Sequence, residues 1–301
     1  MNTFTILVDT GGDLPQEYYD EHGIEIIPVP FTLDGTLHAG GRWQEISDVG
    51  FYDALRDGSV AGTTLINPES YVSVFKDYAS RNESLLVLTL SSGLSGTYQN
   101  SVIALDEVKQ QYPDCDIQMV DSIMAAGGAG LITILAVNKR KEGLSAAETA
   151  QWLEEKKHSC MALFTVNDLM YLHRGGRLSK LSAIAGSIIG VKPLLNVAPD
   201  GTLKLKDKAR GRAAALKTLV SQMQRSLNPG TSLDSVVISH SNCLEDAETL
   251  ADMVREAVEI RELTIVMMGP VIGAHVGPGT IALFFEADMK REEYESRFYG
   301  K

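Results

Sequence analysis

The stretch Leu88-Thr89-Leu90-Ser91-Ser92-Gly93-Leu94-Ser95-Gly96-Thr97-Tyr98 places hydroxyls and glycines directly behind an apolar run. A buried strand that turns here and feeds a helix, read as starting at Ser95, offers side-chain hydroxyls beside backbone N–H groups that lack helical partners. Anions bind in such places, because the helix dipole adds to the free donors. The plainer reading is a helix capped by serine. Gly93-Leu94-Ser95-Gly96-Thr97 also approaches the G-x-S-x-G nucleophile elbow, but Thr97 stands where the last glycine belongs. A serine hydrolase of lipid esters, built on Ser95, an acid and His275, stays open as a second reading.

Three further segments carry similar chemistry. Ala61-Gly62-Thr63-Thr64 is a hydroxyl-bearing loop ahead of Asn67-Pro68, and Asp9-Thr10 and Asp121-Ser122 each close an apolar run. In open α/β sheets ligands bind outside the carboxyl ends of the strands, so these polar ends can converge on one crevice. His275 lies in Gly273-Ala274-His275-Val276-Gly277, where glycines permit close backbone approach. Lys204, Lys206, Lys208, Arg210 and Arg212 recur at every second position, which puts them on one face if the strand persists. That face is either a solvated basic ribbon or a contact for an anionic partner.

These residues need elements to hold them. Apolar runs over residues 4–8, 24–29, 85–90 and 117–120 read as strands. Between them lie helix starts: Asn67 as cap with Pro68 at the first helical position, and Ser145 with Glu148 as a capping box. Strands alternating with helices predict a parallel sheet covered on both faces. The second half predicts a strand over 161–166, a short helix over 168–172 and an apolar helix or buried segment over 181–189. A hairpin follows over 191–208 around Pro199-Asp200-Gly201. Helices over 213–227 and 244–258 and strands over 236–239, 263–268 and 280–286 complete a two-layer α/β unit with a mixed sheet. We expect two domains, 1–157 and 158–301.

The 301 residues carry 27 Lys+Arg against 39 Asp+Glu, a net charge of −12, which disfavours nucleic acid as a partner. The charge is uneven: residues 1–155 hold 8 basic and 23 acidic side chains, the remainder 19 and 16. Three widely spaced cysteines and no CxxC point to a reduced, cytoplasmic chain. The longest weakly polar stretches, 123–137 and 181–195, fall short of the roughly 20 residues of a membrane span. No secretory leader is expected, because Asp9 and Asp13 interrupt the place of its apolar region. There is no Walker A loop, and the six histidines form no metal-ligand spacing, so no cofactor is expected. Gly277-Pro278-Gly279-Thr280-Ile281-Ala282 matches G-x-G-x-x-A only formally, since it leads into a β-branched run.

Taken together, these segments resemble the DegV family of fatty-acid-binding proteins. The resemblance runs through Val8-Asp9-Thr10, the Leu90–Tyr98 segment, Asp121-Ser122 and Leu172-His173-Arg174-Gly175-Gly176-Arg177-Leu178-Ser179. It continues through Lys192-Pro193 and Lys208-Ala209-Arg210 to Gly269-Pro270-Val271-Ile272-Gly273-Ala274-His275-Val276-Gly277-Pro278-Gly279. It departs where the family's Thr-Ser-Gln-Pro is Thr63-Thr64-Leu65-Ile66 here. The resemblance implies a two-domain α/β fold that holds one long-chain fatty acid between its domains, without catalysis of its own. It implies a partner as well, a separate ATP-dependent kinase that converts the bound acid to an acyl phosphate; a lipid sensor with no kinase partner stays open as a further reading. By motif, Thr63 and Ser95 would bind the carboxylate, and Arg210 and His275 would lie near the head group or couple to the kinase.

Overall fold

The computed structural model describes residues 4–40, 46–178 and 190–300. The chain begins β1 (Thr5–Asp9), α1 (Gln16–His22), β2 (Ile24–Ile27), β3 (Phe31–Leu33), β4 (Thr36–His38), α2 (Asp48–Arg56) and β5 (Ala61–Thr63). It continues α3 (Pro68–Arg81), β6 (Leu85–Thr89), α4 (Thr97–Gln111), β7 (Ile117–Asp121), α5 (Gly127–Lys141) and α6 (Ala146–Lys156). Strands β2, β1, β6 and β7 form, in that order, the expected parallel sheet. Every residue of β6 is buried, as an unbroken apolar run in a parallel sheet requires. The two helix starts are made as the sequence predicts. The Asn67 side chain accepts the Ser70 N–H with Pro68 in the first turn of α3, and Ser145 and Glu148 cap α6 reciprocally.

Two local expectations change. Residues 61–63 are not loop but the edge of a three-stranded antiparallel sheet, β4-β3-β5. Strands of three residues are too short to show a period in sequence. Helix α4 begins at Thr97, not Ser95. The Ser91 carbonyl accepts both the Leu94 and Ser95 N–H groups, so the chain makes one more turn before the helix, and Gly96 takes the cap position.

The second half contains β8 (Cys160–Thr165), α7 (Met170–Arg174), β9 (Val191–Val197), β10 (Leu203–Arg210), α8 (Arg212–Arg225) and β11 (Ser232–His240). It ends α9 (Leu244–Ala257), β12 (Glu259–Met267), α10 (Pro270–Val276), β13 (Ile281–Glu286) and α11 (Arg291–Tyr299). Its sheet runs β10-β9-β8-β13-β11-β12 and is mixed, with only β11 and β12 parallel. The predicted hairpin is β9–β10. The expected apolar segment over 181–189 lies outside the described residues.

The basic ribbon does not keep one face. The β9–β10 ladder pairs Leu205 with Leu195 and Asp207 with Leu194, leaving Lys206 as the extra residue of a bulge. Beyond it Lys208 pairs with Pro193 and Arg210 with Val191. Lys208 and Arg210 therefore share the Leu205 face, opposite Lys204, while Arg212 already belongs to α8.

One apolar core runs through both sheets without a break, joining Ile6, Leu88 and Val120 to Phe164, Leu195 and Phe284. Helix α5 lies between the sheets, and Gly127, Gly128 and nine further residues on it are buried. A second core packs the C-terminal sheet on α8 and α9. A third, around Phe31, Phe51, Tyr52 and Leu55, sits under the small sheet and reaches Ala274 of α10.

Candidate functional site

A cavity opens between the sheets, where the carboxyl ends of β1 and β6 face β8, β9 and β13. Its walls are Leu90, Ala125, Ala126, Phe164, Val197, Leu203, Ala282 and Phe284, with Met268, Val271, Ile272 and Val276 around α10. The space these residues bound, counted together with the open solvent at its mouth, amounts to about 770 Å³. Among the described residues the polar lining is Thr63, Thr64, Ser95, Arg177, His275 and Thr280.

Of the polar strand ends, two line the cavity and two build it. Asp9 is buried and accepts the Leu90 and Gly11 N–H groups, each at 2.7 Å. Burial raises its pKa to about 6 against the pull of those two donors. Thr10 accepts the Val29 N–H at 2.8 Å, and Asp121 accepts those of Ser92 and Ile123. These side chains hold the loops that carry Leu90, Ser95 and Val29 to the cavity.

Thr63, Ser95 and His275 line the same cavity. The Thr63 hydroxyl and His275 Nε2 are 2.8 Å apart, across 212 residues of chain. The Ser95 hydroxyl sits 2.9 Å from that of Thr97. Burial lowers the His275 pKa to about 4, with the Arg177 charge acting in the same direction, so the ring is neutral at pH 7. His275 Nδ1 is buried and has no hydrogen-bond partner. A hydrolase triad would need an acid at Nδ1 and the serine at Nε2; among the described residues no acid meets Nδ1, and Nε2 meets Thr63. Arg210 is not among the lining residues. The bulge turns it to the cavity side of β10, but the guanidinium at the cavity belongs to Arg177. Arg177 donates from Nε to the Leu94 carbonyl at 3.0 Å, tying the 174–178 turn to the Ser95 loop. The Arg174-Gly175-Gly176-Arg177 segment enters the sequence analysis only through the family resemblance, with no role attached to Arg177. The available signal is a pair of glycines between two arginines, just beyond a short helix.

The arrangement suits an amphiphilic anion. An apolar wall takes a tail, and neutral hydroxyls with one guanidinium nearby meet a charged end. Among the described residues no cluster of three or more His, Cys, Asp or Glu could hold a metal, and no helix is long and apolar enough to cross a membrane.

Fold and cavity together define a mixed α/β protein with a parallel N-terminal sheet, a mixed C-terminal sheet and a largely apolar cavity between them. The sequence profile described as "Uncharacterised protein, DegV family" matches residues 3–288, and the chain belongs to that family. A DegV domain-containing protein of Clostridium perfringens is 38% identical over 96% of this chain and 99% of its own. Among solved structures, a DegV lipid-binding protein of Thermotoga maritima superposes with a TM-score of 0.84 at 28% identity, covering 95% of this chain and 99% of its own. A second Thermotoga maritima protein, whose structure reveals a fatty-acid-binding function, gives 0.83 at 29% identity, covering 95% and 100%.

Proposed function

We propose that the chain binds one long-chain fatty acid in this cavity and presents its carboxylate, in the cytoplasm, to a separate ATP-dependent kinase that forms the acyl phosphate. The observation that carries the reading is the make-up of the lining: mostly apolar walls, with Thr63 bonded to His275 and Arg177 tied to the loop that bears Ser95 among the few polar groups. Burying about 14 methylenes at ~0.8 kcal/mol each yields roughly 11 kcal/mol gross. Association costs remove several kcal/mol of that, so the tail supplies affinity and the hydroxyls of Thr63 and Ser95 need only orient the head. Neutral donors leave the carboxylate reactive, whereas a tight bidentate arginine clamp would stabilise the anionic ground state and oppose phosphorylation. The two Thermotoga maritima relatives support a lipid ligand for the shared fold. The kinase step rests on the family resemblance and on this head-group chemistry.

Denaturing extraction of the purified protein, followed by mass spectrometry, should release a long-chain fatty acid. Stripped protein should gain melting temperature when the acid is returned. Repeated extraction of no lipid, with no thermal shift on addition, would falsify the reading. A fluorophosphonate probe should leave Ser95 unlabelled, and labelling would restore the hydrolase reading.

A further inference from the structure

Three glycines around His275 leave no room for a side chain, and two of them are filled by aromatic residues from other elements. A Cβ on Gly273 would lie 2.7 Å from the Tyr52 hydroxyl oxygen and 2.8 Å from the Phe51 ring. One on Gly277 would lie 2.4 Å from the Tyr171 ring, and one on Gly175 would lie 2.2 Å from His275 Nδ1. Real Cβ contacts are essentially never under 3.0 Å, so each glycine is a socket for its neighbour. Tyr52, fully buried on α2, donates its hydroxyl to the Met268 carbonyl at 2.8 Å, immediately before α10. Tyr171, on α7, donates back to the Leu55 carbonyl of α2 at 3.2 Å.

These contacts join α2, α7 and α10 in a closed ring. Helix α2 reaches α10 through Tyr52 in the Gly273 socket. Helix α10 meets α7 through Tyr171 in the Gly277 socket. Helix α7 returns to α2 through the Tyr171 hydroxyl. Thr63 travels with α2, because β5 and α2 share the small core that also takes in Ala274. The ring thus holds the two ends of the Thr63–His275 hydrogen bond at a set separation.

We infer that Tyr52 and Tyr171 are positioning residues for the head-group end of the cavity. They set the rotation and distance of α10, so that His275 Nε2 meets Thr63 and Nδ1 is pressed into the Gly175 socket, away from water. The inference rests on the fatty-acid reading for its meaning, but its main readout needs no ligand.

That readout is the titration of the His275 ring, followed by NMR. The parent ring should titrate near pH 4, where burial holds it. Gly273→Ala forces Tyr52 and Phe51 off α10. The His275 midpoint should then rise toward the ordinary 6.5. Affinity for a fluorescent long-chain fatty acid should fall about tenfold, the size of one lost charge-assisted hydrogen bond. Tyr52→Phe and Tyr171→Phe keep the rings and lose one hydrogen bond each, so they should shift the midpoint the same way by less. Leu216→Ala, in the second core cluster, is the control for stability loss alone and should leave the titration at the parent position. A folded Gly273→Ala protein with the parent midpoint overturns the inference, as does a parent ring that already titrates at 6.5. If Gly273→Ala does not fold, unshifted midpoints in both phenylalanine variants overturn it. If the parent binds no fatty acid, the cavity reading fails while the titration still decides the positioning role.

Discussion

Thr63 and Ser95 reach the cavity from different sheets, and in the proposed function each donates a neutral hydroxyl to the carboxylate. Such a bond contributes roughly 1.5–3 kcal/mol. Thr63→Ala with Ser95→Ala should therefore weaken fatty-acid binding by at least a hundredfold in calorimetry and leave the fold intact. Binding equal to the parent would put the head group elsewhere. His275 and Asp9 make opposite contributions to stability as pH changes. His275 has a folded pKa near 4, below its unfolded 6.5, so its contribution is complete above 6.5 and is lost as pH falls toward 4. Asp9 has a folded pKa near 6, above its unfolded 3.8, so its contribution is complete below 3.8 and is lost as pH rises through 6. Each spans on the order of 3 kcal/mol and the two nearly cancel between pH 4 and 6. His275→Gln removes one of them. In urea titrations the variant should gain on the parent steadily as pH falls from 6.5 to 4, and a constant difference would show that His275 titrates normally.

At the scale of elements, α3 and α11 are anchored in different ways. The Asn67 cap of α3 is local and exposed, and Asn67→Ala should cost about 1 kcal/mol. Helix α11 is held by Arg291, whose side chain is buried and donates to the carbonyls of Ala198 at 2.9 Å, Lys157 at 3.2 Å and Ile123 at 3.3 Å. Those carbonyls belong to the β9–β10 turn, the link after α6 and the loop before α5. Arg291→Met leaves three buried acceptors without that donor and should cost several times as much as the Asn67 change, about 3 kcal/mol or more. Parallel urea titrations of the two variants check the ranking, and equal losses would mean that α11 is dispensable to the junction. The hairpin turn matters to the cavity as well. The Ser91 hydroxyl donates to the Gly201 carbonyl at 2.9 Å, so the Ser95 loop leans on the hairpin as well as on its own sheet.

For the whole molecule, the acidic first half and the mildly basic second half meet at a largely apolar cavity with a few polar lining groups. A bound carboxylate carries one negative charge and an acyl phosphate more. Phosphoryl transfer relies on cations that offset charge in the transition state. Arg210 lies on the cavity side of β10 but does not line the cavity, and we propose that it acts on the added charge or the kinase and not on the resting ligand. Arg210→Ala should keep most of its fatty-acid affinity and lose most acyl-phosphate formation with a cognate kinase and ATP. Radiolabelled acyl phosphate measured beside a binding titration separates the two. Losses in proportion would make Arg210 a simple ligand contact.

Caps, turns and apolar runs are decided within a few residues, so they were legible in the sequence: the Asn67 and Ser145 starts, the β9–β10 hairpin, the parallel sheet, and the hydroxyl turn at Ser91–Ser95. The DegV resemblance implies Thr63, Ser95, Arg210 and His275 around one head group, and all of these but Arg210 line the cavity. The side of β10 on which Arg210 lies was decided by tertiary structure, because one extra residue at Lys206 reverses every later side chain and only pairing with β9 creates that bulge. Arg177, and not Arg210, lines the cavity for a related reason: a turn's direction depends on what it packs against. The lowered pKa of His275 comes mainly from burial, by segments that include the Gly175–Arg177 turn about a hundred residues earlier in the chain. Local chemistry therefore named the hydroxyls and the histidine, while register and packing between distant segments determined their distances, their protonation and their company.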